Sequence, residues 1–269
     1  MIKIESSREY HASAALNKSR LHRFSVSPEW FKWCEEHPEE KSEALIVGSA
    51  FHKLVLEPDS FDDEFVVLPH LDRRYKADRE KYERFCESAG GKDVLTSEQF
   101  ALASAMRDAV RSNKYADFLT HGEAECSYYF TDELTGIPCR VRPDCFKVVN
   151  GRGVITDFKS CVSADTESFR RDAIKYGYDL QAAMYKLGVE REHGIPCDFV
   201  FVAVEKTPPH MINILQADEL LLRRGEDLFR EYIGLYKHCT DTGNWFGYNG
   251  EFNIINNLGL PAWLAKEVE

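Results

Sequence analysis

Along the first 120 residues, apolar side chains return mostly at helical spacing. Ala12–Phe24 reads as a short amphipathic helix with Lys18, Arg20 and Arg23 on its polar face. Ser27-Pro28 opens a second helix through Trp30, Phe31 and Trp33, with proline in its favoured first-turn position. Glu43–Glu57 reads as a mostly buried helix that Pro58 ends. Asp72–Arg84 alternates in charge, the pattern of a solvated helix or a mobile loop. Thr96–Ser112 fits an amphipathic helix with Ser97 as its cap.

The middle of the chain changes character. Cys126–Thr131 predicts a strand, Asp132–Gly136 a turn and Ile137–Pro143 a second strand, which Asp144–Val149 either continues or follows as a third. Asn150-Gly151 is a strong hairpin signal, and Gly153–Lys159 is the return strand. Helices over Asp165–Tyr176 and Leu180–His193, strands over Cys197–Val204 and Met211–Leu215, and a long helix over Asp218–Lys237 follow. This order predicts the α/β class: a mixed central sheet with an antiparallel meander, flanked by helices, with a helical elaboration at the N-terminus. Repeats and long Gly/Ser/Pro linkers are lacking, so one domain is expected over 1–269. Its parts would be a mainly helical stretch (1–120), a sheet core (121–238) and a tail (239–269).

Composition constrains the class. With 269 residues, 43% hydrophobic and 12% aromatic, there is material for a sizeable core, which excludes wholesale disorder. No apolar run is long enough for a membrane span, and Met1–Glu5 has no signal-peptide core, so a cytoplasmic protein is expected. The eight cysteines form no CxxC pair, which leaves a zinc ribbon or an iron–sulfur cluster without its spacing. They are expected to be mostly buried free thiols. The formal charge of −11 argues, taken alone, against a nucleic-acid partner.

The candidate chemistry contradicts that. Asp157 and Lys159 lie two apart on a strand and share a face, while Phe158 takes the other. The Asn150-Gly151 turn can fold Asp144 back beside Asp157. Two converging carboxylates repel unless a cation sits between them, so the arrangement suits Mg²⁺ or Mn²⁺, with the lysine placing a water. Gln181 and Tyr185, four apart on a helix, share a face and could bond that water or a phosphate. Arg20, Arg23, Arg140 and Arg142 are candidates for contacts to a backbone phosphate or a 5′-phosphate end.

Pro143-Asp144 with Asp157-Phe158-Lys159 resembles the signature of the PD-(D/E)xK nuclease superfamily. Three longer stretches resemble the RecE-type exonucleases (exonuclease VIII): Tyr10-His11 with Leu16–Leu21 and Ser27-Pro28; Gly48–Pro58; and Tyr178–Tyr185. The resemblance implies His52, Asp144, Asp157 and the Phe158 carbonyl as metal ligands, Lys159 as the catalytic lysine, and Gln181 and Tyr185 as a QxxxY pair. It places an acidic residue before the first core strand, for which Glu125 and Glu123 are equal by position. It further implies a Mg²⁺-dependent exonuclease on double-stranded DNA ends, running 5′→3′ and leaving a 3′ strand for an annealing protein. A ring-shaped trimer or tetramer and a bacterial or phage-infected host cytoplasm belong to the same picture. The alternatives are an endonuclease, a RecB-like repair nuclease, or a non-catalytic DNA-end-binding scaffold. Trp245, Phe246 and Trp263 in the tail are expected to dock on the domain or on a neighbouring subunit.

The charge distribution softens the objection from −11. Met1–Ser25 carries 5 basic and 2 acidic residues, Glu29–Leu68 carries 3 and 11, and Glu190–Glu269 carries 7 and 13. An acidic exterior around a locally basic DNA path is the expectation.

Overall fold

The computed structural model describes residues 1–38, 40–68 and 76–260. In chain order the N-terminal part runs β1 (Ile2–Lys3), α1 (Ser7–Ala12), α2 (Lys18–His22), α3 (Pro28–Glu36), α4 (Glu43–Leu56), α5 (Phe61–Glu64), β2 (Phe65–Val67), α6 (Lys76–Ser88), β3 (Asp93–Leu95), α7 (Ser97–Ser112) and α8 (Lys114–Thr120). The sheet part runs β4 (Glu123–Ala124), β5 (Ser127–Thr131), β6 (Pro138–Val141), β7 (Cys145–Val149), β8 (Arg152–Cys161), α9 (Thr166–Lys175), α10 (Tyr178–His193), β9 (Cys197–Glu205), β10 (Ile212–Gln216) and α11 (Glu219–Thr242).

Polar caps set most helix starts. Ser27, Ser42, Asp165 and Asp218 each accept a backbone N–H of the first turn. For α7 the cap is Thr96, one residue before the expected Ser97, and Gln99 returns the bond in a capping box. The helix expected over Ala12–Phe24 is broken in two. Leu16 pairs with the edge of β6, its N–H donating to the Pro138 carbonyl at 2.9 Å and its carbonyl accepting from Arg140 at 2.8 Å. Asn17 then caps α2. A strand edge with open hydrogen-bonding groups outcompetes a marginal helical turn here. The charged stretch expected over Asp72–Arg84 is helical from Lys76; its start, and Trp263, lie outside the described residues.

The main sheet has the order β10-β9-β8-β7-β4, with β8 and β9 parallel and the other pairs antiparallel. A parallel pair needs a crossover, and α9 with α10 supplies it. The expected mixed α/β sheet is thus present. Its meander is not continuous, because β6 belongs to a second sheet of order β1-β5-β6. Chain direction changes between sheets across Arg142-Pro143-Asp144, where proline offers no N–H to prolong β6. Asn150 (φ 50°) and Gly151 (φ 80°) make the tight β7–β8 turn, as expected from their left-handed tolerance.

Two cores flank the central strands. Ile155, Phe199 and Phe201 pack with Met184 of α10 and Phe229 of α11. Phe158, Val202 and Val204 pack with Phe51 of α4 and Met106 of α7. The period-two alternation along β8 therefore sends Phe158 toward α4 and α7, away from the face of Ile155. Seven cysteines are free thiols and six of these are buried; the Cys86 side chain lies outside the described residues. Trp245 stacks on Phe31 at 5.5 Å, so this part of the tail docks on its own chain, and the Phe246 carbonyl accepts from the Glu29 N–H. Among the described residues no helix is long and apolar enough to cross a membrane.

Gly225 of α11 packs directly against α10: an added Cβ there would lie 2.0 Å from the Asp179 carbonyl oxygen. Gly234 on the same helix has open space. Gly225→Ala is expected to destabilise the fold by about 1–3 kcal/mol by prising the helices apart. Gly234→Ala is expected to stabilise it by about 0.5–1 kcal/mol through helix propensity. Chemical denaturation of the two variants beside the wild type checks the opposite signs.

Candidate active site

The β7–β8 hairpin brings two carboxylates together. Asp144 sits just before β7, and the register Cys145↔Thr156 sets it beside the segment Asp157–Phe158 of β8. One Asp144 oxygen accepts the backbone N–H of Phe158 at 2.6 Å. The other lies 3.3 Å from His52 Nδ1, which α4 carries in. Glu125 adopts a left-handed backbone (φ 52°) between β4 and β5, and its N–H donates to the Asp144 carbonyl at 3.1 Å. Its carboxylate lies 2.6 Å from Arg142 Nε. Ligand-capable atoms of His52, Glu125 and Asp144 all fall within 4.8 Å of one another. Glu123 is exposed in β4, so of the two glutamates it is Glu125 that reaches this cluster.

Asp157 is 1% exposed and held from two sides. Gln181 of α10 donates an amide N–H to one of its oxygens, and the Lys159 ammonium pairs with the other. The expected shared face of Asp157 and Lys159 is therefore realised as direct contact. Asp157 does not join the His52–Glu125–Asp144 group as a fourth member of that tight set. The Phe158 backbone meets the site through its N–H. Tyr185 follows Gln181 one turn on and lines a cavity of about 200 Å³ with Tyr10, Ser19, His52, Glu125 and Asp144.

Burial and crowding set the charges. Burial, aided by the charge of Asp144, pushes the Glu125 carboxyl up to about 7. Burial would lower His52, but the bond and charge of Asp144 outweigh it and raise the imidazole to about 9. Asp144 stays below the usual carboxylate range despite its burial, because His52, Lys159 and the Phe158 N–H favour its charged form. Burial raises Asp157 although Lys159 opposes it. Lys159 is raised, its burial outweighed by Asp157 and Asp144. Burial lifts the Tyr185 hydroxyl well above its ordinary value.

This donor set fits a hard divalent cation. The buried Asp144 and half-buried Glu125 carboxylates stand close together, desolvation and the charge of Asp144 raise Glu125, and an imidazole nitrogen stands within reach of both. A cation in their midst would relieve the repulsion.

The four arginines expected on DNA all hold partners within the chain. Arg20 and Arg23 both pair with Glu35, at 2.5 and 2.6 Å. Arg142 holds Glu125. Arg140 corrects the expectation outright. It is 1% exposed, donates to the Ser13 carbonyl and lies over the Tyr10 ring, so it braces the α1–β6 contact and has no surface to offer a phosphate. Tyr10, Ser19 and Tyr178 were not singled out by their chemistry. The signal for them was membership of the stretches Tyr10-His11, Leu16–Leu21 and Tyr178–Tyr185, which the fold brings to one place.

Comparison with known proteins bears on this geometry. No curated protein matches the chain in sequence. A solved structure described as a "putative exonuclease" from Eubacterium rectale superposes with a TM-score of 0.63 over 98% of each chain, at 15% identity, a likeness of fold. A second solved structure, of SSO0001, covers 74% of this chain and 82% of its own at 13% identity, with a TM-score of 0.28. The profile of the PDDEXK-like domain of unknown function (DUF3799) matches residues 19–257, a span that contains His52, Asp144, Asp157, Lys159, Gln181 and Tyr185. By that match the chain belongs to the PDDEXK-like DUF3799 family.

Proposed function

We propose that this chain is a divalent-metal-dependent nuclease, and more narrowly a RecE-type exonuclease on double-stranded DNA ends. The observation that carries the reading is the convergence of Asp144, Asp157 and Lys159 with His52 and Glu125 at one end of the β7–β8 hairpin. The RecE-type reading draws support from where its three stretches go. They supply Tyr10 and Ser19, His52, and Gln181 with Tyr185, which meet around one site although they lie far apart in sequence. A 5′→3′ direction, a ring-shaped oligomer, delivery of a 3′ strand to an annealing protein and a cytoplasmic setting belong to the same proposal.

His52, Glu125 and Asp144 would hold the cation, with Asp157 and the Phe158 carbonyl contributed from β8. Mg²⁺, or Mn²⁺ in its place, would supply Lewis acidity at the phosphate and favour deprotonation of the attacking water. Lys159 stays protonated, so it acts as a donor: it orients the water and meets the charge that grows on the phosphate oxygens. Gln181 is a positioning residue that fixes Asp157. Tyr185 keeps its proton and can donate to a phosphate oxygen. Water adds to phosphorus as the bond to the 3′-oxygen breaks; the water loses its proton to solvent, the departing 3′-oxygen takes one up from solvent, and the strand that remains ends in a 5′-phosphate.

Linear duplex labelled at either 5′ or 3′ end, with closed circular DNA as control, tests the reading. Early release of the 5′ label with circles intact is expected; cutting of circles would make the enzyme an endonuclease, and early 3′ release would reverse the direction. Asp157→Ala and Lys159→Ala are each expected to lower the rate by about 100-fold or more, the scale of losing a transition-state donor. Asp144→Ala is expected to abolish the rise in unfolding temperature that Mg²⁺ or Mn²⁺ gives the wild type, whereas Lys159→Ala keeps that rise.

Metal capture must displace protons. His52 carries one up to about pH 9 and Glu125 titrates near 7. Cation affinity is therefore expected to rise with pH across about 7 to 9, approaching tenfold per unit for each proton displaced. Calorimetry in buffers of different ionisation enthalpy reads the protons released; a flat affinity without proton release removes His52 from the ligand set.

A further inference from the structure

The chain gathers two lysines around one ring beside its carboxylates. Lys159 stands 4.9 Å from the Tyr178 ring centroid, and Lys18, the first residue of α2, stands 5.6 Å from the same centroid. Asn17 holds the start of α2 in place, and the Lys18 ammonium donates to the Tyr176 carbonyl at 2.5 Å, beyond the end of α9. An ammonium has three donors, and this bond uses one. Among the described residues no carboxylate pairs with Lys18.

The chain has 45 acidic residues against 34 lysines and arginines, and several cations near the site pair with a carboxylate. Arg20 and Arg23 have Glu35, Arg142 has Glu125, and Lys53 has both Glu57 and Glu64. Lys18 is half-buried, and burial together with the charge of Lys159 pushes its ammonium down to about 8. The one carboxylate acting on both lysines is Asp157, and that is already shared between Lys159 and Gln181. A helix-end carbonyl explains one donor of Lys18. It does not explain why a second cation is held against the ring that Lys159 occupies. An anion bridging the two would relieve the repulsion and use the spare donors.

We infer that Lys18, Lys159 and the Tyr178 ring form a phosphate subsite, in which Lys18 holds a backbone phosphate next to the one being cut. For its substrate the inference rests on the nuclease reading; for the anion it rests on the two lysines alone. Lys159 is anchored at Asp157 and faces the reacting phosphate, so Lys18 positions the strand and contributes to binding more than to the chemical step.

Binding of a fluorescent DNA duplex in EDTA, followed by anisotropy across a salt series, tests this without cleavage. Lys18→Met is expected to weaken binding and to reduce the slope of log affinity against log salt by about one, the signature of one lost phosphate contact. Lys18→Arg is expected to retain the slope. With Mg²⁺ present, Lys18→Met is expected to raise KM by about tenfold while kcat changes less than about threefold, the pattern of lost ground-state binding. A wild-type slope in Lys18→Met overturns the subsite. So does an unchanged slope accompanied by an equal fall in unfolding temperature for both variants, which would make Lys18 a helix brace. A wild type that cuts DNA while Lys18→Met keeps its KM and slope leaves the nuclease reading standing without the subsite. A wild type that binds with a Lys18-dependent slope and never cuts leaves the subsite standing without the nuclease.

Discussion

Asp144 keeps a negative charge where burial opposes it, and much of the site follows from how that charge is compensated. Its two oxygens point in different directions, one to the Phe158 N–H and one to His52. The first bond ties the residue before β7 to the middle of β8 and fixes the spacing of the two aspartates. The second draws α4 onto the end of the sheet. Removing either partner would strand a buried carboxylate, a loss on the scale of about 3–5 kcal/mol for a broken buried pair. The same charge reaches Glu125 and adds to the effect of burial in lifting its carboxyl to about 7.

Strand and helix identities were largely legible because their signals are local. Asn150-Gly151 announced its hairpin through the left-handed backbone it tolerates, and the i, i+2 spacing of Asp157 and Lys159 put them in contact. What was not legible depended on distant partners. The break in the Ala12–Phe24 helix comes from β6, which offers Leu16 an edge to pair with. The split of the meander depends on β5 and β6 joining β1 in a second sheet, a distant partner that their local sequence does not show. Glu125 outranks Glu123 only because a left-handed residue turns it inward, and Glu is not a residue from which such a backbone would be read. The arginines show the converse: side-chain charge is visible in a sequence, but the carboxylate that pairs with it, or the burial that encloses it, is not.

That cancellation also changes the meaning of the net charge. An acidic exterior can coexist with a nucleic-acid partner where a few cations keep their fields uncancelled near the site. With Arg20, Arg23 and Arg142 neutralised and Arg140 enclosed, the basic path is narrower than the arithmetic of Met1–Ser25 suggests. Attraction then acts mainly at close range, because salt at about 0.1 M screens it beyond about 10 Å.

The site draws its groups from both ends of the folding problem. The hairpin that carries Asp144, Asp157 and Lys159 is a local structure, closed by a two-residue turn. His52 and the wall residues Tyr10 and Ser19 come from helices that must travel back across the chain to dock. During synthesis the N-terminal helices leave the ribosome first and wait for the sheet on which they settle. A chain caught before that docking carries the aspartates and the lysine without the imidazole or the cavity wall. The gathering of His52, Glu125 and Asp144 within 4.8 Å is therefore a property of the finished fold, and in a half-made molecule these three groups are still apart.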